Sequence, residues 1–457
     1  MQAKKAVSQI TEGVIWKQIL LFFFPILMGS FFQQMYNMVD TIIVGRAVGT
    51  QALAAVGSSG SLINLINGFF IGLSAGATVI LSQHYGAADR DGVEKAMHTG
   101  FALSLCLGCI IMIIGIFLGP TVLRLIDTPE NCMDQAVTYV QIYFSGAIAS
   151  MVYNMGTGLL RAMGDSRRPM FFLMAACVIN IVLDTLFVVV WNMGVAGAAL
   201  ATVLSQCISA VLVTVTLCRL PSEYRLRFKK VTFHSATLRR ILVIGIPAGL
   251  TYITFDLTNI LAQRGINSFG DVTAAAWIAY IKSDSIIWMV SGAFGVAVTT
   301  FVGQNFGARK YDRIHKSVRT CFAMSFAIMG ILSALETIFR EPLLGIYTTD
   351  PEVIQVGSYV MLRAVPFCVM LLPMEILGGA MRGTGYSLVP TLITGICICA
   401  FRVLWILFIV GRWHTLDMLI LCYPISWALT AAAFFIAYFR GTWLKKQIDA
   451  QALPDEA

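Results

Sequence analysis

Residues 161–169 read RAMGDSRRP and residues 382–390 read RGTGYSLVP, so the pattern R-x-x-G-x-S-x-x-P returns after 221 positions. A second pair of segments keeps the same displacement, because residues 83–87 (QHYGA) return as residues 304–308 (QNFGA). This period is close to half of the 457-residue chain. Such a long period in an apolar chain predicts two duplicated membrane halves rather than a solenoid of short repeats. Function is then expected between the halves.

The composition predicts lipid as the solvent. Hydrophobic residues make up 58% of the chain, charged residues only 12%, and the mean hydropathy is +0.78. Twelve apolar runs reach the length of about 20 residues that a membrane-spanning helix needs, and they are too long for barrel strands. The runs lie near residues 16–44, 52–82, 96–119, 136–160, 169–191, 194–218, 241–264, 273–303, 318–340, 355–380, 387–410 and 416–439. The predicted fold is an all-α polytopic membrane protein with two six-helix lobes related by a parallel pseudo-twofold repeat.

The distribution of positive charge predicts the orientation. With the amino terminus inside, 24 of the 32 Lys and Arg residues fall in cytoplasmic segments, five on the other side and three within spans. Positive residues gather on the cytoplasmic side, so both termini are expected there, in a cell membrane. The predicted domains are an amino-terminal lobe (1–218), a basic cytoplasmic linker (219–240), a carboxy-terminal lobe (241–440) and a cytoplasmic tail (441–457).

Several function classes are disfavoured. The net charge of +8 is spread over the loops of one membrane face, so nucleic-acid binding is not indicated. The eleven cysteines include pairs inside apolar spans with no basic neighbour, and neither a metal, a disulfide nor a catalytic thiol is predicted. Residues 72–76 (GLSAG) match a hydrolase nucleophile pattern but lie in mid-helix. Gly68, Gly72 and Gly76 instead predict a stripe for close helix packing.

Ionisable residues inside spans are costly and are functional hypotheses by default. Asp40 ends a polar stripe on the first helix, Asn180 and Asp184 are one turn apart on the fifth, and Ala198 and Thr202 have the same spacing on the sixth. A rise of about 1.5 Å per residue places Asp40, Asp184 and Thr202 at comparable depth.

These side chains offer only hard oxygen ligands, which suit a proton, Na⁺ or a hard divalent ion. Two carboxylates in a dry site also repel each other, which favours protonation of one of them during a cycle. The five residues Asp40, Asn180, Asp184, Ala198 and Thr202 are therefore predicted to form a cation-coupling site. The alternative is that both aspartates are structural and fix the helix register.

The chain resembles a known family at four places. They are residues 32–45 (FQQMYNMVDTIIVG), residues 54–57 (AAVG), residues 82–87 (SQHYGA) and residues 161–165 (RAMGD). These segments look like the multidrug and toxic compound extrusion (MATE) family, and the similarity extends over nearly the whole chain. The resemblance implies a twelve-helix antiporter that exports cationic or amphipathic organic compounds in exchange for H⁺ or Na⁺ by alternating access.

Within that family, the Asn180 and Asp184 pair with Asp40 and Thr202 resembles the amino-terminal cation site of the DinF-like branch. The NorM-like branch also uses carboxylates of the second lobe. The second-half spans contain the weaker candidates Asp256, Lys282, Asp284 and Glu375. These do not match the pattern of that branch residue for residue, and salt bridges of Asp284 with Lys282, or of the acids with Arg363 or Arg402, would be an equally simple use.

The expected partners are small organic, often cationic substrates and the lipid bilayer, without a cofactor and with a monomer as the functional unit. The candidates for lining a substrate cavity are Gln33, Tyr36, Asn37, Tyr139 and Asn154. Two alternatives remain. A flippase for a lipid-linked saccharide or a lipid would need a more cationic cavity, and an intramembrane hydrolase would need a base at membrane depth, whereas all five histidines fall in or beside loops.

Overall fold

The structure is a computed structural model that describes residues 10–125 and 128–452, and these residues form helices and connecting turns without a β-strand. We number the long helices in chain order. They are α1 (Ile15–Ala47), α2 (Thr50–Gly86), α3 (Arg90–Leu125), α4 (Glu130–Ser145 with Ala147–Ala162), α5 (Arg167–Val190), α6 (Gly194–Cys218), α7 (Ser235–Asn267), α8 (Asp271–Gly307), α9 (Tyr311–Ile338), α10 (Pro351–Gly383), α11 (Leu388–Val410) and α12 (Leu416–Arg440).

Eleven of these described helices are long and apolar enough to cross a membrane, and α4 makes a twelfth when its two parts count as one span. The two parts of α4 are bent by 50° at Gly146, whose N–H bonds the carbonyl of Tyr143 (3.1 Å). The predicted fold class, an all-α membrane protein with twelve spans, is confirmed. The bend was not predicted, because residues 136–160 read as one uninterrupted apolar run.

The internal repeat is also present in the backbone geometry. A positive φ occurs at Gly49 and again at Gly270, at Ala88 and again at Arg309, and at Gly164 and again at Gly385. Each pair is separated by 221 positions, the displacement of the sequence repeat. Left-handed backbone is uncommon outside glycine, so its return at Ala88 and Arg309 shows that both halves end α2 and α8 with the same turn.

The described chain divides into two compact units. The first unit contains residues 21–125 and 128–249, and the second unit contains residues 10–20 and 250–452. In the second unit Arg313 holds the segment before α1, because its guanidinium donates to the carbonyls of Ile10 (3.2 and 3.3 Å), Glu12 (2.9 Å) and Gly13 (3.0 Å). The predicted lobe limits stay a prediction, and residues 1–9 and 453–457 of the predicted lobe and tail lie outside the described residues.

Glycines bring α2 into direct backbone contact with the part of α7 that belongs to the first unit, residues 235–249. A Cβ at Gly72 of α2 would lie 2.4 Å from the nitrogen of Gly249 in α7, and a Cβ at Gly76 would lie 2.3 Å from the carbonyl oxygen of Ile241. Gly245 in turn leaves room for the backbone of α2. The predicted packing role is therefore confirmed for Gly72 and Gly76.

The connection between α6 and α7, residues 219–234, packs on α3 within the first unit. Arg227 N–H donates to Nε2 of the buried His98 (3.0 Å), and Lys230 pairs with Glu94. Leu226 is also buried, and its N–H bonds the carbonyl of Leu217 (3.0 Å). The basic segment is therefore ordered and packs along α3.

We expect Gly72→Ala to lower the free energy of unfolding by about 1–3 kcal/mol, because the added methyl group meets backbone that cannot rotate away. The matched control is Gly57→Ala on the same helix, where a Cβ would meet no atom within 4 Å. The control should be neutral or slightly stabilising, since alanine is the better helix former. Thermal unfolding of the purified protein in detergent measures both. Equal midpoints for the two variants would contradict the close contact.

Candidate cation and substrate sites

The predicted cation-coupling residues all lie in the first unit and are all buried. Asp40 on α1 is 6% exposed, and Asn180, Asp184, Ala198 and Thr202 are between 0% and 3% exposed. Asp184 is the last residue of the regular part of α5, which continues as a π-helical turn over Thr185–Val190. Such turns are rare and frequently occur at functional sites.

The polar atoms of this cluster lack partners. Asp40 Oδ1, both oxygens of Asp184, both amide atoms of Asn180 and Thr202 Oγ1 are buried without a hydrogen bond to any described residue. Asn180 lies beside Asp184, but the two side chains do not have hydrogen-bond geometry. Buried polar groups in proteins are nearly always paired, so orphaned atoms from three helices indicate a site for a ligand that they share.

The electrostatics of the cluster favour a cation. Asp40 and Asp184 are close enough to interact with each other, and the Tyr36 hydroxyl lies beside Thr202 and within reach of both carboxyls. Among the ion pairs of the described residues, none involves Asp40 or Asp184. A buried carboxyl without a basic partner is stabilised by a proton or a bound cation.

The kind of ligand atom in the cluster determines which cations it can bind. The carboxylates of Asp40 and Asp184, Asn180 Oδ1 and Thr202 Oγ1 are hard oxygen ligands, so they can hold Na⁺ or share a proton. Over the described ranges, no group of three or more His, Cys, Asp and Glu residues could hold a transition metal. Ala198 has no side-chain oxygen, and its place in the site stays a prediction. It is a small residue in the buried apolar layer that also contains Tyr139.

The predicted cavity residues separate into two groups. Gln33 and Asn37 are exposed on α1, and Asn154 is half-buried with its amide donating to the Ser150 carbonyl (3.0 Å). Tyr36 is half-buried and Tyr139 is buried, and both interact electrostatically with Asp40 and Asp184. The two tyrosines therefore lie at the buried cluster of Asp40, Asn180, Asp184 and Thr202, called the cation cluster below, whereas Gln33 and Asn37 lie on an exposed part of α1.

Sequence reasoning missed the polar side chains that extend this cluster. Tyr143 stacks on Tyr139 with 6.3 Å between ring centroids, and its hydroxyl accepts a hydrogen bond from Asn67 (3.0 Å). Gln206 lies beside the same hydroxyl. A usable signal existed, because Gln206 follows Thr202 by four residues and therefore lies on the same face of α6.

The second unit contains another buried acidic pair. Asp284 on α8 is 4% exposed and accepts hydrogen bonds from Trp288 Nε1 (2.8 Å) and the Cys368 thiol (3.6 Å). Glu336 on α9 is 6% exposed, interacts electrostatically with Asp284, and has no hydrogen-bond partner for either oxygen among the described residues. Glu336 was missed, although a carboxylate within the apolar run 318–340 was the signal for it.

The other second-lobe candidates are less enclosed. Lys282 is exposed, and Asp256 and Glu375 are half-buried. Arg363 forms its ion pair with Asp417 (3.0 Å) instead of with a predicted carboxylate. The simple salt bridges considered from the sequence are therefore absent from the ion pairs of the described residues.

Comparison with known proteins places the chain among transporters. The family model MatE matches residues 25–186 and 247–407, once in each half. The chain is 27% identical over 445 residues to "Probable multidrug resistance protein YoeA" of Bacillus subtilis (strain 168), with 95% of each protein covered. It is 29% identical over 439 residues to "Probable multidrug resistance protein YpnP" of the same strain, with 95% of this chain and 97% of that one covered.

A solved structure described as the outward-facing conformation of a multidrug resistance MATE family transporter has the same fold. Its TM-score is 0.88 at 22% identity, and the match covers 96% of this chain and 98% of that chain. The fold and the buried polar cluster together define the class of this protein, which is a multi-pass helical membrane transporter. The chain belongs to the MATE family, whose model matches most of its length. The family resemblance is confirmed, its relatives are transporters rather than enzymes, and the branch stays a prediction.

We expect Asp184→Asn to raise the free energy of unfolding by about 1 kcal/mol, because it removes one of two neighbouring buried carboxyls that have no basic partner. Asp134→Asn, on the exposed surface of α4, is the matched control and should leave the unfolding midpoint unchanged. Both are measured by thermal unfolding at neutral pH without added Na⁺. A lower midpoint for Asp184→Asn would mean that a favourable partner holds the carboxylate.

Proposed function

We propose that this protein is a secondary active multidrug efflux antiporter. It exports cationic or amphipathic organic compounds in exchange for H⁺ or Na⁺ by alternating access. The observation that carries the proposal is the cluster of Asp40, Asn180, Asp184 and Thr202, in which buried oxygen atoms from three helices lack partners. Further support comes from the names of the relatives, which describe probable multidrug resistance proteins.

The cluster can couple cation entry to a conformational change because α1 contributes only one of its carboxylates. A coupling ion shifts an equilibrium only when its affinity differs between the two states. Moving Asp40 away from Asp184 removes an oxygen ligand and lowers the affinity for a cation. Pro25 removes a backbone hydrogen bond from α1 fifteen residues before Asp40, which gives α1 a point at which it can bend.

Several details complete the proposal. The chain is assigned to the DinF-like branch, because two carboxylates, an amide and a hydroxyl converge in the first unit. The excess of Lys and Arg on one side supports a cell-membrane location with both termini cytoplasmic. The functional unit is a monomer with lobes 1–218 and 241–440. Gln33 and Asn37 contact the substrate, and Tyr36 and Tyr139 connect that contact to the cation cluster.

We expect a proton or Na⁺ gradient to drive efflux of a fluorescent organic cation from loaded proteoliposomes, with the two gradients imposed separately. Asp40→Asn should reduce gradient-driven efflux to background, because it removes the carboxylate that α1 contributes. Asp134→Asn, incorporated at the same density, should retain wild-type efflux. If neither gradient matters, or if Asp40→Asn is as fast as the wild type, the coupling site is wrong, and transfer of lipid-linked substrates is assayed next.

The Thr202 hydroxyl distinguishes the two ions. If Na⁺ is the coupling ion, Thr202→Val removes an oxygen ligand and should raise the Na⁺ concentration for half-maximal efflux, whereas Thr202→Ser should restore it. If the proton is the coupling ion, both variants should keep the wild-type dependence on the pH gradient. Loss of efflux in Thr202→Ser as well as in Thr202→Val would contradict a role of the hydroxyl as a ligand.

A further inference from the structure

The second unit buries an arginine in the middle of a membrane-spanning helix. Arg402 on α11 is only 2% exposed. It lies in a short regular turn, Phe401–Leu404, between two π-helical segments. Nε donates to Ser426 Oγ (3.0 Å), and the guanidinium carbon lies 4.1 Å from the centre of the Tyr423 ring. Nη2 is buried and has no hydrogen-bond partner within the described ranges.

Arg402 also lacks a counter-ion within the described part of the chain. The side chains known to interact electrostatically with it include Tyr280, Cys399, Cys422 and Tyr423, and none of these is a carboxylate. No ion pair of the described residues includes it. The guanidinium stays charged in proteins, and a buried charge without a partner is strongly unfavourable.

The buried acid Asp284 of the same unit does not fill this role. Tyr280 is within electrostatic reach of both Arg402 and Asp284. Asp284, however, is bonded to Trp288 and Cys368, and its own electrostatic neighbourhood does not include Arg402. The contact of Arg402 with the Tyr423 ring offsets only part of the cost, because a cation–π contact is weaker than the hydration that the buried charge has lost.

A second buried donor lies beside the guanidinium. Trp427 is 1% exposed, its Nε1 has no hydrogen-bond partner among the described residues, and its ring centre lies 6.0 Å from the guanidinium carbon of Arg402. An indole N–H can only donate, as can a guanidinium. Two neighbouring donors without an acceptor fit an anion and exclude a cation.

The internal repeat relates these residues to helices of the first unit that carry the opposite charge. The residues 221 positions before Arg402, Tyr423 and Trp427 are Ile181, Thr202 and Gln206. Thr202 belongs to the cation cluster of the first unit, and Gln206 extends it. The same pair of repeated helices therefore carries the Asp184 carboxylate in one half and the Arg402 guanidinium in the other.

We propose that Arg402 and Trp427 form a binding site for one monovalent anionic group. The group is a halide or a carboxylate, since a single guanidinium balances a single negative charge and both kinds of anion accept hydrogen bonds from N–H donors. Its source is either free chloride or the carboxylate of a transported compound. Only the second source rests on the proposed transport function.

The test is anion binding by the purified full-length protein. Thermal unfolding is followed at constant Na⁺ concentration while sodium sulfate is replaced by sodium chloride or sodium acetate. We expect a saturable rise of the unfolding midpoint with chloride, acetate or both. Arg402→Gln should abolish the rise. Arg412→Gln should retain it, because Arg412 is an exposed arginine of the same unit that contacts only Trp413 among the described rings.

If Arg402→Gln does not fold, Trp427→Phe provides a second test of the site. It preserves an aromatic ring and removes only the N–H, so the anion concentration at half-saturation should rise about tenfold, as expected for one lost hydrogen bond to a charged group. The proposal is overturned if the wild type shows no saturable effect. It is also overturned if Trp427→Phe responds as the wild type does.

The source of the anion is then decided by transport of two dyes, a rhodamine with a free carboxylate and its methyl ester. If Trp427→Phe slows efflux of the free acid but not of the ester, the carboxylate of the substrate is the ligand. If chloride shifts the midpoint and Trp427→Phe affects both dyes equally, the ligand is the free anion. The unfolding measurements require no transport, so a failure of the antiport proposal leaves their result intact.

Discussion

The constraint on which this structure depends is that a polar group inside a bilayer cannot be satisfied by solvent. The backbone meets the constraint by forming helices, and glycines such as Gly72 and Gly76 allow two of those helices to touch. The polar side chains satisfy this constraint less completely than the backbone does. Asp40 and Asp184 in the first unit, and Glu336 and Arg402 in the second, keep buried polar atoms without a partner among the described residues. Such groups are expensive in hydrocarbon, which is why Asp40, Asp184 and Arg402 are proposed as ligand-binding residues.

The internal duplication provides two similar backbone arrangements in which such sites can form. The repeated positive φ angles at Gly49 and Gly270, and at Ala88 and Arg309, show that the two halves share turn geometry even where the residues differ. The side chains have diverged on this common backbone. Thr202 has Tyr423 as its counterpart, and Gln206 has Trp427. The two halves therefore carry opposite charges on corresponding helices, with Asp184 on α5 and Arg402 on α11.

Most of the fold follows from the sequence, because an apolar run of sufficient length in lipid has only one stable backbone conformation. The depths of Asp40, Asp184 and Thr202 followed from the helical rise alone, and the structure brings these three residues together. The bend of α4 at Gly146 did not follow, since a glycine in an apolar run does not by itself indicate a change of direction. Glu336 and Gln206 were missed for another reason. Their importance depends on which neighbouring helix each one faces, and the spacing within one helix does not give that information.

For the proposed antiport mechanism, the arrangement of the first unit indicates which helix would change the cation site. α5 and α6 are joined by a short turn, and Gly197 of α6 is packed so closely that a Cβ would lie 3.1 Å from the Phe187 backbone of α5. Asn180, Asp184 and Thr202 are therefore held in a fixed relation to one another. Asp40 is on α1, where Pro25 interrupts the hydrogen bonding and many side chains are exposed. In the proposed antiporter, the position of α1 then sets the number of oxygen ligands that a cation finds. A bound cation would strengthen the contact of α1 with the other two helices, and α1 held in this way could no longer adopt the conformation that the empty site allows.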